Sequence, residues 1–588
     1  MNNPVPPDPP PDAAPVALAP RWRLWRSIRI AWAVTAVALI VGVPLFVRMP
    51  PWCDLTLYDL AARNLLSGGI HYRDVFDTNL PGFVWALTAI RASLGLSMEA
   101  VRAVDLVIVA AIVLLLDRLA ARGGAPAWAR AWAIAGAAVF YPFTSEMNHC
   151  QRDVWMTLPA AAAVLLRVRR LSVGGGAFRW GVIEGALWGL AVWVKPHAAV
   201  PALVVWLATV RWVAARGGRR AIAADLAGNV FGGLLVGAAG ISYLVWSGTW
   251  PHLVEVFTVW NTGYMRQTFG QWLPRLGLQL SYFPPWSYLQ LLSVPFAVAD
   301  VRRGFIRSDN GQDSIKLGRL ALAALYLGWT GQALLFQREF HYVHVPETLM
   351  LLAYLASRGW AAGAFGVGWL VASSLVVLAG VPDGSPPPGR PDIRPLPRLA
   401  LRHPAFDMDR MRHWDDCWRT DLGPDEWRKR RNDLRLISAY PAANDWVQLG
   451  EVVDWLAARG VADGDVMAWH DTPHAVCVEL GVRPGFRFQH VRQMSCIGPV
   501  QAAAIQRELC GTVGRVRYVV SDLTIPWAFE DDWVGGFDSA GPDLYPTEMP
   551  AEVRRQFPYQ QPAVFRSGGG HGRYIVHELR QPIPDCEK

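Results

Sequence analysis

Asp54 is the first residue whose type and position suggest chemistry, because it closely follows a long apolar run at 30–47. Basic residues precede that run, namely Arg21, Arg23, Arg26 and Arg29. This arrangement is typical of a membrane span whose basic end stays in the cytoplasm. Asp54 is therefore predicted at the opposite membrane face, where a carboxylate needs a partner or a function. There it could act as a general base, and the structural alternative is a cap for the helix that follows.

Further charged residues are predicted at the same face. Arg152 and Asp153 precede an apolar segment at 153–166, and Lys195 lies in a Lys-Pro-His turn between two others. The basic side chains would bind a phosphate, and Asp153 would bind an acceptor or orient the surroundings of Asp54. The alternatives are an interfacial Arg152–Asp153 ion pair and a Lys195 side chain that snorkels to the interface.

A second cluster, Arg-Glu-Phe-His-Tyr at 338–342, precedes the late apolar segment 343–355. Arg338 is the first choice for a phosphate ligand, since a guanidinium binds such oxygens in a bidentate fashion. His341 is a second donor if it is protonated, and the alternative for the cluster is an interfacial anchor.

The composition predicts a polytopic α-helical membrane protein. Of 588 residues, 52% are hydrophobic and 18% are charged, whereas soluble proteins carry about 25% charged residues. The mean hydropathy is +0.19. The net charge of +8 reflects arginines in short loops, as membrane orientation requires. We therefore do not interpret this charge as a sign of nucleic-acid binding, and no nucleic-acid partner is predicted.

We predict about eleven spans, on the assumption that each crosses ~30 Å of hydrocarbon. They are 30–47, 101–116, 129–143, 153–166, 181–194, 198–212, 223–246, 284–299, 320–336, 343–355 and 360–378. The segment 83–96 is short and interrupted by Arg91, so we interpret it as a juxtamembrane helix. The basic residues before the first span place the N-terminus in the cytoplasm. Because the number of spans is odd, the C-terminal region is then predicted on the opposite side of the membrane.

The predicted domain organisation has four parts. Residues 1–20 form a disordered cytoplasmic tail, 21–380 the transmembrane domain, 381–440 a Pro-rich linker and irregular segment, and 441–588 an extracytoplasmic α/β domain. In the last part we expect a helix and several strands, at 442–459, 465–469, 516–520, 563–565 and 573–579. All seven cysteines fall on or next to the predicted outer face, and at least one must be unpaired because the number is odd.

The stretch 51–85, PWCDLTLYDLAARNLLSGGIHYRDVFDTNLPGFVW, carries a family resemblance. It resembles the first external loop of GT-C type membrane glycosyltransferases, and most closely the protein O-mannosyltransferase and aminoarabinose transferase families (families 39 and 83). Those families use polyprenyl-phosphate sugars, and an Asp just after the first span is catalytic. The Trp-x-Lys-Pro turn at Lys195 and the segment 338–346 also resemble these families. One departure is that a Lys-Pro-Pro turn is replaced here by Asn79-Leu80-Pro81.

The resemblance and the residue types together assign expected roles. Asp54 and Asp153 are expected to be catalytic. The donor phosphate is expected to be bound by Arg338, Arg152, Lys195 and His341. The substrate is expected to be bound by Tyr72, Arg73, Asp77, Tyr342, Tyr264 and Arg266. No cofactor is predicted, and the lack of Cys/His ligand spacing predicts no metal site, although a divalent metal would be compatible.

The resemblance implies an inverting glycosyltransferase in the cytoplasmic (inner) membrane. It would transfer a sugar from a polyprenyl-phosphate donor to a glycan, lipid or protein acceptor at the outer face. Membrane lipids are further expected partners. Two other classes remain open at this point. One is an enzyme like the O-antigen ligases or polymerases, which use diphosphate-linked glycans, and the other is a non-enzymatic flippase or transporter of sugar lipids.

Overall fold

The structure is a computed structural model of the chain. It describes residues 21–261, 272–306, 314–338, 340–378, 408–436, 443–495, 497–524, 543–547, 549–580, 583 and 586. Helices make up the part before residue 379. They are α1 Arg21–Arg48, α2 Cys53–Leu66, α3 Gly82–Leu94, α4 Met98–Arg122, α5 Ala127–Phe140, α6 Arg152–Trp155, α7 Thr157–Val173, α8 Ala177–Val194, α9 Ala199–Trp246, α10 Trp250–Glu255, α11 Trp272–Tyr282, α12 Trp286–Ile306, α13 Ser314–Phe336, α14 Val345–Ser357 and α15 Ala362–Leu378.

Each apolar segment predicted from the sequence falls largely within one of these helices. The segments 198–212 and 223–246 share α9, which is interrupted by non-helical backbone at Gly217 and Gly218. Gly218 has a φ of +59°, a conformation that glycine adopts at little cost. Among the described residues, Trp22–Arg48 and Pro196–Trp246 are the two helices long and apolar enough to cross a membrane by length and composition. The number of spans stays a prediction.

Asp54 lies on α2, which packs against α3. The carboxylate of Asp59 on α2 accepts a hydrogen bond from Arg91 Nε at 2.5 Å and from Arg63 Nε at 2.9 Å. Asp59 and Arg91 are both buried. A buried ion pair stabilises only while both partners are present, so this pair fixes α3 against α2. Arg91, which interrupts the apolar pattern of 83–96, is therefore a structural partner of the helix that positions Asp54.

Small residues bring α8 and α9 into close contact. A Cβ added at Gly185 would lie 2.0 Å from the carbonyl oxygen of Asn229, and one added at Gly232 would lie 2.0 Å from that of Val182. Such contacts let two helix backbones approach within a membrane domain. Arg167 and Arg170 lie buried on α7 and pair with Glu184 and Asp225.

The C-terminal region contains a four-stranded sheet with helices around it. Its elements are α16 Met408–Met411, α17 Pro424–Leu434, α18 Trp446–Ala457, β1 Val466–Ala468, α19 Ala475–Leu480, α20 Val491–Ser495, α21 Pro499–Cys510, β2 Tyr518–Asp522, α22 Ala551–Arg554, β3 Ala563–Arg566 and β4 Tyr574–Glu578. The strand order is β1-β2-β4-β3, with β1 and β2 parallel and the other neighbours antiparallel. The predicted helix, both buried strands and the β3–β4 hairpin are present at the expected positions.

This region contains a helix within the predicted linker and a disulfide whose pairing the sequence did not predict. The segment 381–440, predicted as linker and irregular chain, contains α17, and Arg428 of that helix binds Asp454 on α18. α17 therefore packs with the α/β domain. Cys510 and Cys586 form a disulfide, which ties the chain end to α21. The described unpaired thiols, those of Cys53, Cys150, Cys417 and Cys477, are buried, and Cys496 lies outside the described residues.

Candidate active site

Asp54 lies in the first turn of α2 and is half-buried. The N-cap of the helix is Trp52, which makes no side-chain cap, so the capping role considered for Asp54 does not apply. Partial removal from water raises the pKa of Asp54, and the nearby positive charges of Arg152 and Lys195 offset this only in part. A carboxylate with a raised pKa is a stronger base than an ordinary aspartate once it is ionised.

The loop after α2 is held by a short hydrogen-bond network. Tyr72, which has a φ of 67°, donates its hydroxyl hydrogen to the carbonyl of Asn79 at 2.6 Å. Asn79 Nδ2 donates to Asp77 Oδ1 at 2.5 Å and to the Tyr58 hydroxyl at 3.3 Å. Asp77 is buried, and its second oxygen, Oδ2, has no hydrogen-bond partner among the described residues. The network therefore presents one free carboxylate oxygen beside Arg152, whose charge acts on Asp77.

Arg152 is buried at the start of α6, and two of its nitrogens are unused. Nε and Nη1 have no hydrogen-bond partner within the described part of the chain. The guanidinium lies 5.1 Å from the centre of the Tyr58 ring. Burial by itself would lower the pKa of Arg152, but Tyr58, Asp77 and Tyr342 raise it above its usual value. A charged guanidinium with unpaired, buried N–H groups is a suitable ligand for an anion such as a phosphate.

Asp153 and Lys195 form a buried ion pair next to Arg152. Lys195 Nζ lies 2.7 Å from Asp153 Oδ2, and the Gln337 amide donates to Asp153 Oδ1 at 3.0 Å. Burial raises the pKa of Asp153, but Lys195, Arg152 and Gln337 more than offset this and hold it below its usual value. Burial lowers the pKa of Lys195 to about 8, so it remains protonated at neutral pH. Asp153 is thus ionised and paired, which makes it a positioning group for Lys195.

The structure brings several of the predicted site residues together. Asp54, Asp77, Arg152, Asp153 and Lys195 act on one another electrostatically. Tyr342 belongs to the same group, since its ring centre lies 5.8 Å from Lys195 Nζ.

Other predicted site residues lie elsewhere or have a different environment. Arg73 forms an exposed ion pair with Asp74, with a nitrogen–oxygen distance of 2.7 Å. The Tyr72 hydroxyl is used inside its own loop. The ring of His341 lies 4.0 Å from that of Tyr282, and burial lowers the pKa of His341 to about 4. The condition for His341 as a second cationic donor, a protonated ring, is therefore not met at neutral pH.

Arg338 stays a predicted phosphate ligand. It is half-buried and directly follows Gln337, the residue that contacts Asp153. Arg152 is a second candidate, because its buried Nε and Nη1 have no hydrogen-bond partner among the described residues. Tyr264 and Arg266 lie outside the described residues.

Two residues of the site were missed in the sequence. Gln337 binds both Asp153 and Lys195, and Tyr58 contacts Arg152 and Asn79. Tyr58 lies one helical turn after Asp54, so helical spacing from the proposed base could have indicated it. Gln337 had no such signal, because its partners are distant in the chain. No cluster of metal-ligating side chains was found among the described residues.

An apolar groove lies between α8 and α9 and reaches the loop of the site. Its volume is about 820 Å³. Leu80 lines one end of it and directly follows Asn79, the residue that holds Asp77. The other lining residues include Trp188, Trp193, Leu203, Trp250 and Phe257. Leu203 and Phe257 are exposed, so the groove is open on the side where lipid would lie.

Comparison with family models and with curated proteins gives no match for this chain. Solved structures do match. ArnT from Cupriavidus metallidurans in the apo state has 13% identity and a TM-score of 0.49, covering 95% of this chain and 98% of that one. The Archaeoglobus fulgidus oligosaccharyltransferase, tethered with an acceptor peptide, has 12% identity and a TM-score of 0.41, covering 84% of this chain and 69% of that one.

The same archaeal enzyme, AglB, in complex with an inhibitory peptide and a dolichol-phosphate, has 11% identity and a TM-score of 0.38. That alignment covers 84% of this chain and 70% of the other. All three similarities have low sequence identity and a TM-score below 0.5. At such identities and scores they assign no activity to this chain, so its own residues must carry the functional argument.

Proposed function

We propose that this chain is an integral membrane glycosyltransferase. It transfers a sugar from a polyprenyl-phosphate donor to an acceptor at the outer face of the cytoplasmic membrane. The observation that carries the proposal is the convergence of a half-buried carboxylate, Asp54, with the buried cations Arg152 and Lys195, at the end of an apolar groove.

Asp54 acts as the general base of the reaction. The acceptor oxygen attacks the anomeric carbon, its proton passes to the Asp54 carboxylate, and the bond from that carbon to the phosphate oxygen breaks. A single displacement of this kind inverts the anomeric centre. The raised pKa of Asp54 supports this role, because a stronger base takes the proton more readily.

Arg152 binds the leaving phosphate. The electron pair of the broken bond remains on the phosphate oxygen, where negative charge develops in the transition state. The unpartnered Nε and Nη1 groups of Arg152 stabilise that charge at a site largely shielded from water. Lys195, which forms an ion pair with Asp153, adds a second positive charge and keeps its proton during the reaction.

The groove between α8 and α9 holds the prenyl chain. It is lined almost entirely by apolar side chains and ends at Leu80, beside the polar site. The prenyl chain reaches the groove from lipid and not from water, so the apolar lining matches its hydrocarbon and positions the donor through packing contacts. The disulfide between Cys510 and Cys586 supports the predicted orientation, since disulfides persist in oxidising compartments outside the cytoplasm.

Replacement of Asp54 tests the proposal. In the Asp54→Asn variant, transfer from a labelled polyprenyl-phosphate sugar is expected to fall about 10²–10⁴-fold, the usual contribution of a general base. Binding of the donor is expected to change little. Asp463→Asn, at an exposed ion pair with Arg483, is the matched control and should keep full activity. Near-normal turnover of Asp54→Asn would remove Asp54 from the mechanism.

A further inference from the structure

The C-terminal domain is attached directly above the Asp54 site. Arg63 on α2 donates to the carbonyl of Val478 at 3.1 Å, and the Phe76 amide donates to the carbonyl of Arg487 at 2.9 Å. Arg487 in turn binds Glu255 with two hydrogen bonds of 3.1 and 2.8 Å. These bonds hold the segment 470–490 against helix α2, which carries Asp54, and against the loop that carries Asp77.

Two histidines of this segment, His474 and His490, lie next to the proposed base and form what we call the histidine pair. Their ring centres are 5.4 Å apart. His474 Nε2 lies 3.0 Å from the carbonyl oxygen of Cys53, the residue that precedes Asp54. Because a carbonyl only accepts, Nε2 of His474 carries the proton and its Nδ1 is left as an acceptor.

The histidine pair has polar atoms that nothing in the described chain uses. His474 Nδ1 and His490 Nε2 are both buried without a hydrogen-bond partner among the described residues. His474 is fully buried, and the His490 side chain is 11% exposed. Buried polar atoms are nearly always paired in folded proteins, so unused atoms beside a reactive group point to a ligand.

The charges around the histidine pair indicate which kind of ligand could bind there. Burial lowers the pKa of His474 to about 3 and that of His490 to about 4, so both rings are neutral at physiological pH. Asp471 lies near His490, with a distance of 3.9 Å between its Oδ1 and His490 Nδ1. Asp471 and Asp54 both act on the thiol of Cys53, whose pKa burial raises. Neutral rings beside the Asp471 carboxylate disfavour an anion and suit an uncharged hydroxyl group.

We propose that His474, His490 and Asp471 bind the acceptor, and that the acceptor is a neutral saccharide. This inference rests on the proposed function. The donor phosphate occupies the cationic side of the site, at Arg152 and Lys195. The acceptor occupies the opposite side, where neighbouring sugar hydroxyls pair with the unused nitrogens. One of its hydroxyl oxygens bonds to the anomeric carbon as the phosphate oxygen leaves, and its proton passes to Asp54.

The experiment uses the full chain in lipid nanodiscs and labelled polyprenyl-phosphate sugars from the source membrane. Envelope glycans from the same cells are separated by anion exchange into a neutral fraction and a phosphate-bearing fraction. Label is expected in the neutral fraction. Transfer to phosphate groups of the retained fraction would overturn the inference but leave the proposed function intact. A chain that neither binds nor consumes the donor would contradict the proposed function itself.

Variants separate acceptor binding from a structural role. His490→Leu is expected to raise the KM for the neutral acceptor at least fivefold, with the KM for the donor within twofold of the wild type. His490→Gln restores a nitrogen donor and should recover part of the loss. His571→Leu, at an exposed position of the same domain, is the matched control. An unchanged acceptor KM in both His490→Leu and Asp471→Asn would refute the acceptor site.

Discussion

Replacement of Arg152 tests the phosphate site most directly. Two nitrogens of its guanidinium group, Nε and Nη1, are buried and have no hydrogen-bond partner among the described residues. Each hydrogen bond to a charged group is worth about 1.5–3 kcal/mol. If both bonds form with the leaving phosphate, Arg152→Gln loses about 3–6 kcal/mol of transition-state stabilisation, or roughly 10²–10⁴-fold in kcat/KM. Arg152→Lys keeps the charge and one bond, so its loss should be about 10–10²-fold.

The pH profile of these variants supplies a second readout. The positive charge of Arg152 lowers the pKa of Asp54 and so opposes the effect of burial. Removal of that charge raises the pKa of Asp54 further, and the base must be ionised to act. The acidic limb of kcat/KM is therefore expected to move to higher pH in Arg152→Gln and to stay near its wild-type position in Arg152→Lys.

The assay follows release of the polyprenyl phosphate from purified full-length protein, over a range of pH. Arg483→Gln serves as the control, because Arg483 forms an exposed ion pair with Asp463 far along the chain in the C-terminal domain. Equal losses in Arg152→Gln and Arg483→Gln would indicate a general loss of structure. An Arg152→Gln variant with wild-type kcat/KM and an unmoved acidic limb would refute the reasoning.

Two further predictions concern the groove and the disulfide. A Cβ added at Gly237, which lines the groove, meets no atom within 4 Å, so Gly237→Phe should fold. The added ring crowds a prenyl chain in the groove at a cost of about 1–3 kcal/mol, which should raise the KM for a long prenyl donor roughly tenfold. A short-chain donor should be unaffected, and an equal change for both donors would contradict a prenyl site. The disulfide Cys510–Cys586 closes a loop with a sequence separation of 76, so Cys510→Ser should lower the free energy of unfolding by about 4 kcal/mol. Thermal unfolding measures this, and reductant should destabilise the wild type but not the variant.

Much of the architecture could be predicted from local patterns. Apolar runs indicated the helices before residue 379, and the segments 563–565 and 573–579 were predicted as strands where β3 and β4 lie. These signals are local, because hydrophobic periodicity and turn residues act over a few neighbours. The position of Asp54 at the start of α2 could also be predicted from the local sequence.

The partners of charged residues were decided by the tertiary structure. Arg91 looked like an interruption of an apolar helix, yet it is the buried partner of Asp59. The buried N–H groups of Arg152 that lack a partner among the described residues could likewise not be recognised from the sequence. Gln337 had no distinguishing pattern, although it contacts both Asp153 and Lys195.

The sequence by itself therefore determined the helices, the domain order and the residue best suited to act as base. The tertiary structure alone decided which buried N–H groups of Arg152 have no partner among the described residues, and that His474 contacts Cys53, the residue before Asp54. The physical reason is that helix and strand formation depends on near neighbours, whereas the charge state and the free hydrogen-bonding capacity of a side chain depend on burial and on partners from distant segments. His474 lies 421 positions from Cys53 in the chain, and only folding brings them to 3.0 Å.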